Sequence, residues 1–154
     1  MPVPFDIVAG NTTAAQLNDA DVTTLVRHSG FRFWGNRTCS DDPLFAFESA
    51  ARTAQVLQDT IANGLVWAID KPISAALVTD ILETVNAAFR KMASQGRIIG
   101  ARAWFDPSVN SATELAAGRL TIDYEYTPCA PAESIQLNQR ITDKFYAALA
   151  DQLG

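Results

Sequence analysis

The side chains able to do chemistry are few and scattered. The chain holds one histidine, His28, and two cysteines, Cys39 and Cys129. A histidine base needs a nucleophile in reach and a group that orients it. No Gly-x-Ser-x-Gly turn supplies that nucleophile. His28, beside Arg27, reads as a charge closing a short predicted helix or as a surface residue. Metal sites gather Cys or His at short spacing, and neither Cys-x-x-Cys nor a His pair occurs. Asp41, Asp42 and Glu48 could offer oxygen ligands, but Asp42 is better placed as a helix cap and the EF-hand pattern is missing. Phosphate-binding glycine loops are missing too. Asp123 and Glu125 fall on one side of a predicted strand and could form an acid pair, although such pairs are more often a solvated strand face. With Asp106 they are the scattered carboxylates on which an enzyme reading would rest. The expectation is no catalytic residue, no cofactor and no metal, with a structural or binding role ahead of catalysis. A monomeric binding adaptor is the third reading.

The 154 residues suit one domain. Hydrophobic residues make up 48% and charged residues 19%, an ordinary globular composition. The net charge of −5, with no dense basic run, argues against a nucleic-acid partner. No segment has the length and apolarity of a membrane helix, so no membrane partner is expected. The opening residues carry no basic flank or long apolar run, which leaves cytoplasmic synthesis as the default. Two lone thiols in such a chain are expected to be reduced. Residues 1–17 read as an arm or linker stub, with two prolines, a Gly-Asn turn and little periodicity. The chain is therefore expected to be the tail end of something longer, with its domain at 18–154.

Several elements follow from period and caps. Asn18 or Asp19 is expected to cap a short helix through Val22, Leu25 and Val26. Residues 30–34 read as a strand closed by a turn at Gly35-Asn36. A long helix begins at Asp42-Pro43 and carries Phe47, Ala50, Ala54, Leu57, Ile61, Leu65 and Ala68 on one face. Lys71-Pro72 ends it. Ser74 caps a second helix whose stripe is Leu77, Ile81, Val85, Ala88, Phe89 and Met92, with Gly96 at its C-terminus. The short connection predicts antiparallel packing of the two. Strands follow at "RIIGARAWFDP" and "RLTIDYEYTP", the second alternating Leu120, Ile122, Tyr124 and Tyr126 against polar residues. A short helical turn lies between them. A third alternating run covers 134–142, with Ile135, Leu137 and Ile141 on one side, and a last helix carries Phe145, Tyr146, Leu149 and Leu153. The expected fold is α+β: a mostly antiparallel sheet packed on two long antiparallel helices, plus a C-terminal strand and helix.

The stretch "GFRFWGNRT" places Phe31, Phe33 and Trp34 just before a turn. Phe31 and Phe33 share a face and Trp34 takes the other, so both faces need cover, from this domain or from a neighbour. Core packing is the favoured reading for Trp34.

The same residues carry a resemblance. Trp34-Gly35-Asn36-Arg37-Thr38, a following helix with Arg52 inside it, and Lys71-Pro72 resemble the C-terminal conserved region of the contractile tail sheath proteins of myophage-type viruses and R-type pyocins. The distal "IDYEYTPCAPAESIQLNQRITDKF" resembles that family's closing segment. The resemblance runs from about Val22 onward. It implies a structural subunit of the virion tail, made in the bacterial host cytoplasm. Its partners would be other sheath subunits, in rings stacked as a helix, and the tail tube protein. Contraction of such a sheath drives the tube through the host envelope, with no nucleotide or metal consumed. It also implies that terminal arms add strands to a neighbour's sheet. In this chain the inter-subunit strand candidates are Ile135, Leu137, Asn138, Arg140 and Ile141, beyond a proline-rich hinge at 127–131. Trp34, Asn36 and Arg37 are candidates for core anchors or interface contacts. Family members carry a substantial region before this one, of which the chain retains residues 1–16 at most. Without the N-terminal arm, the chain is expected to build no full extended sheath by itself.

Overall fold

In the computed structural model, residues 1–6 and 9–146 are described. Helix α1 spans Thr13–Asp19, with the Thr12 hydroxyl accepting from Ala15 N–H at its start. Strands β1 (Thr24–Arg27) and β2 (Phe31–Trp34) pair antiparallel, with Thr24 opposite Trp34 and Arg27 opposite Phe31. The helix expected after Asn18 is therefore found before it. Val22, Leu25 and Val26 step as a helix would, but Asp21 turns the chain at φ +59° and a β-branched run follows. Those residues suit a pleated strand with an aromatic partner. His28 accordingly sits in the β1–β2 turn, where its N–H donates to the Gly30 carbonyl, and not at a helix end.

Asp42 and Pro43 begin a single 3₁₀ turn, Pro43–Phe45, with Leu44 N–H bonded to Asp42 Oδ1 at 2.9 Å. Helix α2 then runs Glu48–Gly64, and a second 3₁₀ turn spans Val66–Ala68. Helix α3 covers Ala75–Ser94. Ser74 Oγ caps it from Leu77 N–H. Its end is a Schellman closure, in which Arg97 N–H reaches the Met92 carbonyl and Gly96 N–H the Ala93 carbonyl. Gly96, at φ +69°, is the residue that makes this turn without strain. Strands β3 (Ile98–Trp104) and β4 (Asp123–Pro128) pair antiparallel, with Ala103 opposite Tyr124. The short helix α4, Ala112–Ala116, lies between them.

The core joins Leu57 of α2 to Val85, Phe89 and Met92 of α3 and to Ile98 and Ala103 of β3. Ile61, Leu65, Ile122 and Tyr126 pack around it. Of the stripes read from the sequence, Leu57, Val85, Phe89 and Met92 face this core with Ile61 and Leu65 beside it, while the long helix expected from Asp42 to Lys71 is broken into a 3₁₀ turn, α2 and a second 3₁₀ turn, so that Phe47, Leu65 and Ala68 fall outside α2. The single sheet does not form. The described strands make two separate two-stranded sheets, β1–β2 and β3–β4. The reason is local. β1–β2 finds its cover in α1 and the N-terminal segment, where Val3 N–H donates to the Leu25 carbonyl at 2.8 Å and Phe5 packs on Trp34. It needs nothing from the long helices.

Two asparagines close backbone ends. The Asn86 amide, from α3, donates to the Ala103 carbonyl at 3.0 Å and accepts from Ala103 N–H at 2.9 Å. Asn110 makes the same pair of bonds to Thr121. Each amide stands in for a strand partner at one residue.

Candidate assembly surface

The segment after β4 has no regular pairing. Residues 129–142 have no strand or helix and no ladder partner. The expected C-terminal strand thus has no ladder partner among the described residues. Along 134–142 three of the four odd positions, Ile135, Leu137 and Ile141, are apolar and stand 77%, 88% and 97% exposed, and Gln139 interrupts the run. The even positions Gln136, Asn138 and Arg140 are polar and exposed. A strand with such a pattern has one face to bury and offers unpaired backbone groups on both edges. A helical turn begins at Lys144, and Phe145 and Tyr146 are exposed. Leu149 and Leu153 lie outside the described residues.

The root of this segment is fastened by Arg37. Its Nε and Nη2 donate to the two Glu133 carboxylate oxygens at 3.0 and 2.7 Å. Its guanidinium carbon sits 4.4 Å from the centre of the Phe47 ring, and Asp21 Oδ1 is 3.8 Å from Nε. An exposed ion pair is worth about 0.2–1 kcal/mol, and the two-pronged geometry favours the upper end. The backbone beside Arg37 is held as well. Glu48 N–H donates to the Asn36 carbonyl and Thr38 N–H to the Ala46 carbonyl, both at 2.9 Å. The run Asn36-Arg37-Thr38 therefore pins the start of α2 to the end of β2. Gly35 lets the chain make that step. Its φ is +140°, and a Cβ there would lie 2.7 Å from Thr23 Cα. Trp34, Asn36, Ala132 and Glu133 border a shallow hollow of about 270 Å³.

Phe31 and Phe33 project from β2 at 67% and 83% exposure, whereas Trp34 is 37% exposed and packs 4.7 Å from Phe5. The core reading of Trp34 is thereby corrected: the ring lies at the margin, under the N-terminal segment. The structure gathers Trp34, Asn36 and Arg37 at the tail root, while Ile135 to Ile141 extend away from it. Sequence reasoning missed Glu133, Phe5 and Phe47. Nothing in their spacing announces them, since Glu133 meets Arg37 across 96 residues.

The three carboxylates stand in separate surroundings, and Asp123 Oδ2 is buried without a hydrogen-bond partner among the described residues. Glu125 bonds Arg102 at 2.7 Å across the β3–β4 pair. Asp106 accepts from Ser108, whose hydroxyl and backbone N–H hold the Asp106 carboxyl below its usual range. Asp123 lies opposite Trp104. Among the described residues, no group of three His, Cys, Asp or Glu side chains could hold a metal ion, and no helix is long and apolar enough to cross a membrane.

Comparison with known proteins gives this geometry a family. Residues 40–142 match the family described as "Phage tail sheath C-terminal domain". The tail sheath protein of Escherichia phage P2 is 54% identical over 145 residues, covering 94% of this chain and 37% of that protein. The major tail sheath protein of Serratia phage KSP20 is 40% identical over 146 residues, covering 95% and 37%. The chain thus spans little more than a third of these relatives. Among solved structures, a chain of the anti-feeding prophage helical sheath in its contracted state aligns with TM-score 0.70 at 19% identity, over 94% of this chain and 42% of that one. A chain of the anti-feeding prophage baseplate aligns with TM-score 0.73 at 20% identity, over 83% and 38%. At such identities the likeness is one of fold. The match over 40–142, together with the length of chain shared with the phage proteins, places this chain in the phage tail sheath C-terminal domain family.

Proposed function

We propose that the chain acts as the C-terminal domain of a contractile tail sheath subunit, and that residues 134–142 are given as a strand to the sheet of an adjoining subunit. The subunits would surround a tail tube in the virion, and shortening of the sheath would drive that tube. The observation that carries this reading is the tail itself: an exposed segment of largely alternating apolar residues, attached at Glu133, with no ladder partner among the described residues. Burying an exposed Ile or Leu gains about 1.5–3 kcal/mol, so Ile135, Leu137 and Ile141 together could gain about 4–9 kcal/mol before ordering costs. The added ladder would also satisfy backbone groups that now face solvent. The outer edge of β2, which pairs only with β1 among the described strands and carries the uncovered Phe31 and Phe33, is the natural acceptor.

The test uses the parent sheath protein carrying Ile135→Asp with Leu137→Asp. Sedimentation and electron microscopy in the presence of tail tubes read assembly. The wild type should form polymer and the double variant should remain small, with the same circular dichroism and melting temperature. Normal polymer from the double variant would sink the proposal.

A further inference from the structure

We infer that Arg37 is a positioning residue for strand donation: it clasps Glu133 and so fixes where the C-terminal segment leaves the domain. The inference rests on the reading of 134–142 as a donated strand. Three contacts converge on this one guanidinium. It grips both Glu133 oxygens, lies over the Phe47 ring and approaches Asp21. Its own backbone is braced between β2 and α2 through Asn36 and Thr38. The gripping side is therefore anchored to the folded domain, and the gripped side is the last residue before the exposed strand.

The consequence is a shorter tether. With the clasp closed, Ile135 lies two residue steps from its fixed point at Glu133. With the clasp open, the next hydrogen bond back along the chain is at Cys129, whose Sγ donates to the Gly96 carbonyl at 3.4 Å, six residue steps from Ile135. Effective concentration falls roughly as the −3/2 power of tether length, so opening the clasp should weaken donation by up to about fivefold.

Nitrogen-15 relaxation of the full chain reads the clasp directly. Ala130 and residues 132–134 should show order parameters near the rigid value of about 0.85, dropping below about 0.6 in Arg37→Glu and in Glu133→Arg, and recovering in the exchanged double variant. Glu133→Arg changes only the tail side, so α2, α3 and the sheets should keep their chemical shifts. In the parent sheath protein, each single variant should raise the critical concentration for assembly by up to about fivefold, and the exchanged pair should lower it again. Order parameters unchanged by both single variants would overturn the clasp. Freed residues 130–134 with an unchanged critical concentration would overturn its part in assembly. Failure of strand donation itself is seen elsewhere, in normal assembly by Ile135→Asp with Leu137→Asp.

Discussion

Replacing Asn86 should destabilise the domain, with a pH signature that a simple loss of packing would lack. Asn86 holds Ala103 by two bonds, 2.9 Å to its N–H and 3.0 Å to its carbonyl. Ala103 is buried in the core cluster. Asn86→Ala removes both partners from backbone groups with little access to water. A net hydrogen bond is worth about 0.5–1.5 kcal/mol, and an abandoned buried group costs about 1–3 kcal/mol, so the loss should be about 2–3 kcal/mol. With a urea m-value near 2 kcal/mol/M, the unfolding midpoint should fall by roughly 1–1.5 M. Asn86→Asp sharpens the test. Its carboxylate still accepts from Ala103 N–H but opposes the Ala103 carbonyl oxygen-to-oxygen. Burial and that repulsion both favour the protonated acid, which can donate to the carbonyl. The folded-state pKa is thus raised above the unfolded one. Stability relative to Asn86→Ala should then be present at pH below the unfolded carboxyl's pKa and be lost as pH rises through the folded one. Urea melts of both variants from pH 4 to pH 8 check it. Equal, pH-independent midpoints for the two variants, or midpoints matching wild type, would refute the edge-closing role.

Two further perturbations probe other parts of the fold. Gly35→Ala should cost about 2 kcal/mol or more, because φ +140° strains any side chain and the new Cβ meets Thr23 backbone. Gly30→Ala, at φ +112° with open space around it, should cost the strain alone, and thermal melts of the pair separate the two effects. Burial, reinforced by Tyr124, raises the Tyr126 hydroxyl pKa. Ultraviolet titration should therefore show one tyrosine ionising later than the rest, and Tyr126→Phe should remove that late phase. The stability linked to Tyr126 is present below the unfolded tyrosine pKa and disappears as pH climbs through the raised one.

What could be read from the sequence depended on whether the information was periodic. Helix α3 was legible because its stripe, its Ser74 cap and its Gly96 closure all lie within one continuous segment and agree. The alternation of Ile135, Leu137 and Ile141 was legible for the same reason. Helix α1 was not, since its buried contact is the small Ala14 and its capping residue Thr12 stands among turn-forming neighbours. β1 was misread because Val22, Leu25 and Val26 step as on a helix face, and tertiary pairing with β2 overrides that local signal. The division into two sheets depends on Phe5 reaching Trp34. The Asn86, Asn110 and Glu133 contacts join distant residues through single side chains, for which no repeat exists to detect.

The distribution of closed and open surface separates stability from assembly. Around Leu57 and Phe89, apolar side chains are buried, and the Ala103 backbone is met by Asn86. Around β2 and the tail, Phe31, Phe33, Ile135, Leu137 and Ile141 are left to solvent, and residues 129–142 have no ladder partner among the described residues. Marginal stability makes core losses of a few kcal/mol visible in the isolated chain. Exposed side chains that touch nothing there contribute little to its folding, so their replacement should leave its melting unchanged while altering what the chain can join. Arg37 belongs to both regions, since it braces α2 through its backbone and Phe47 while it grips the tail through Glu133. Its substitution should therefore be the one that shifts both properties, modestly for melting because the ion pair is exposed, and more clearly for assembly because the tether lengthens.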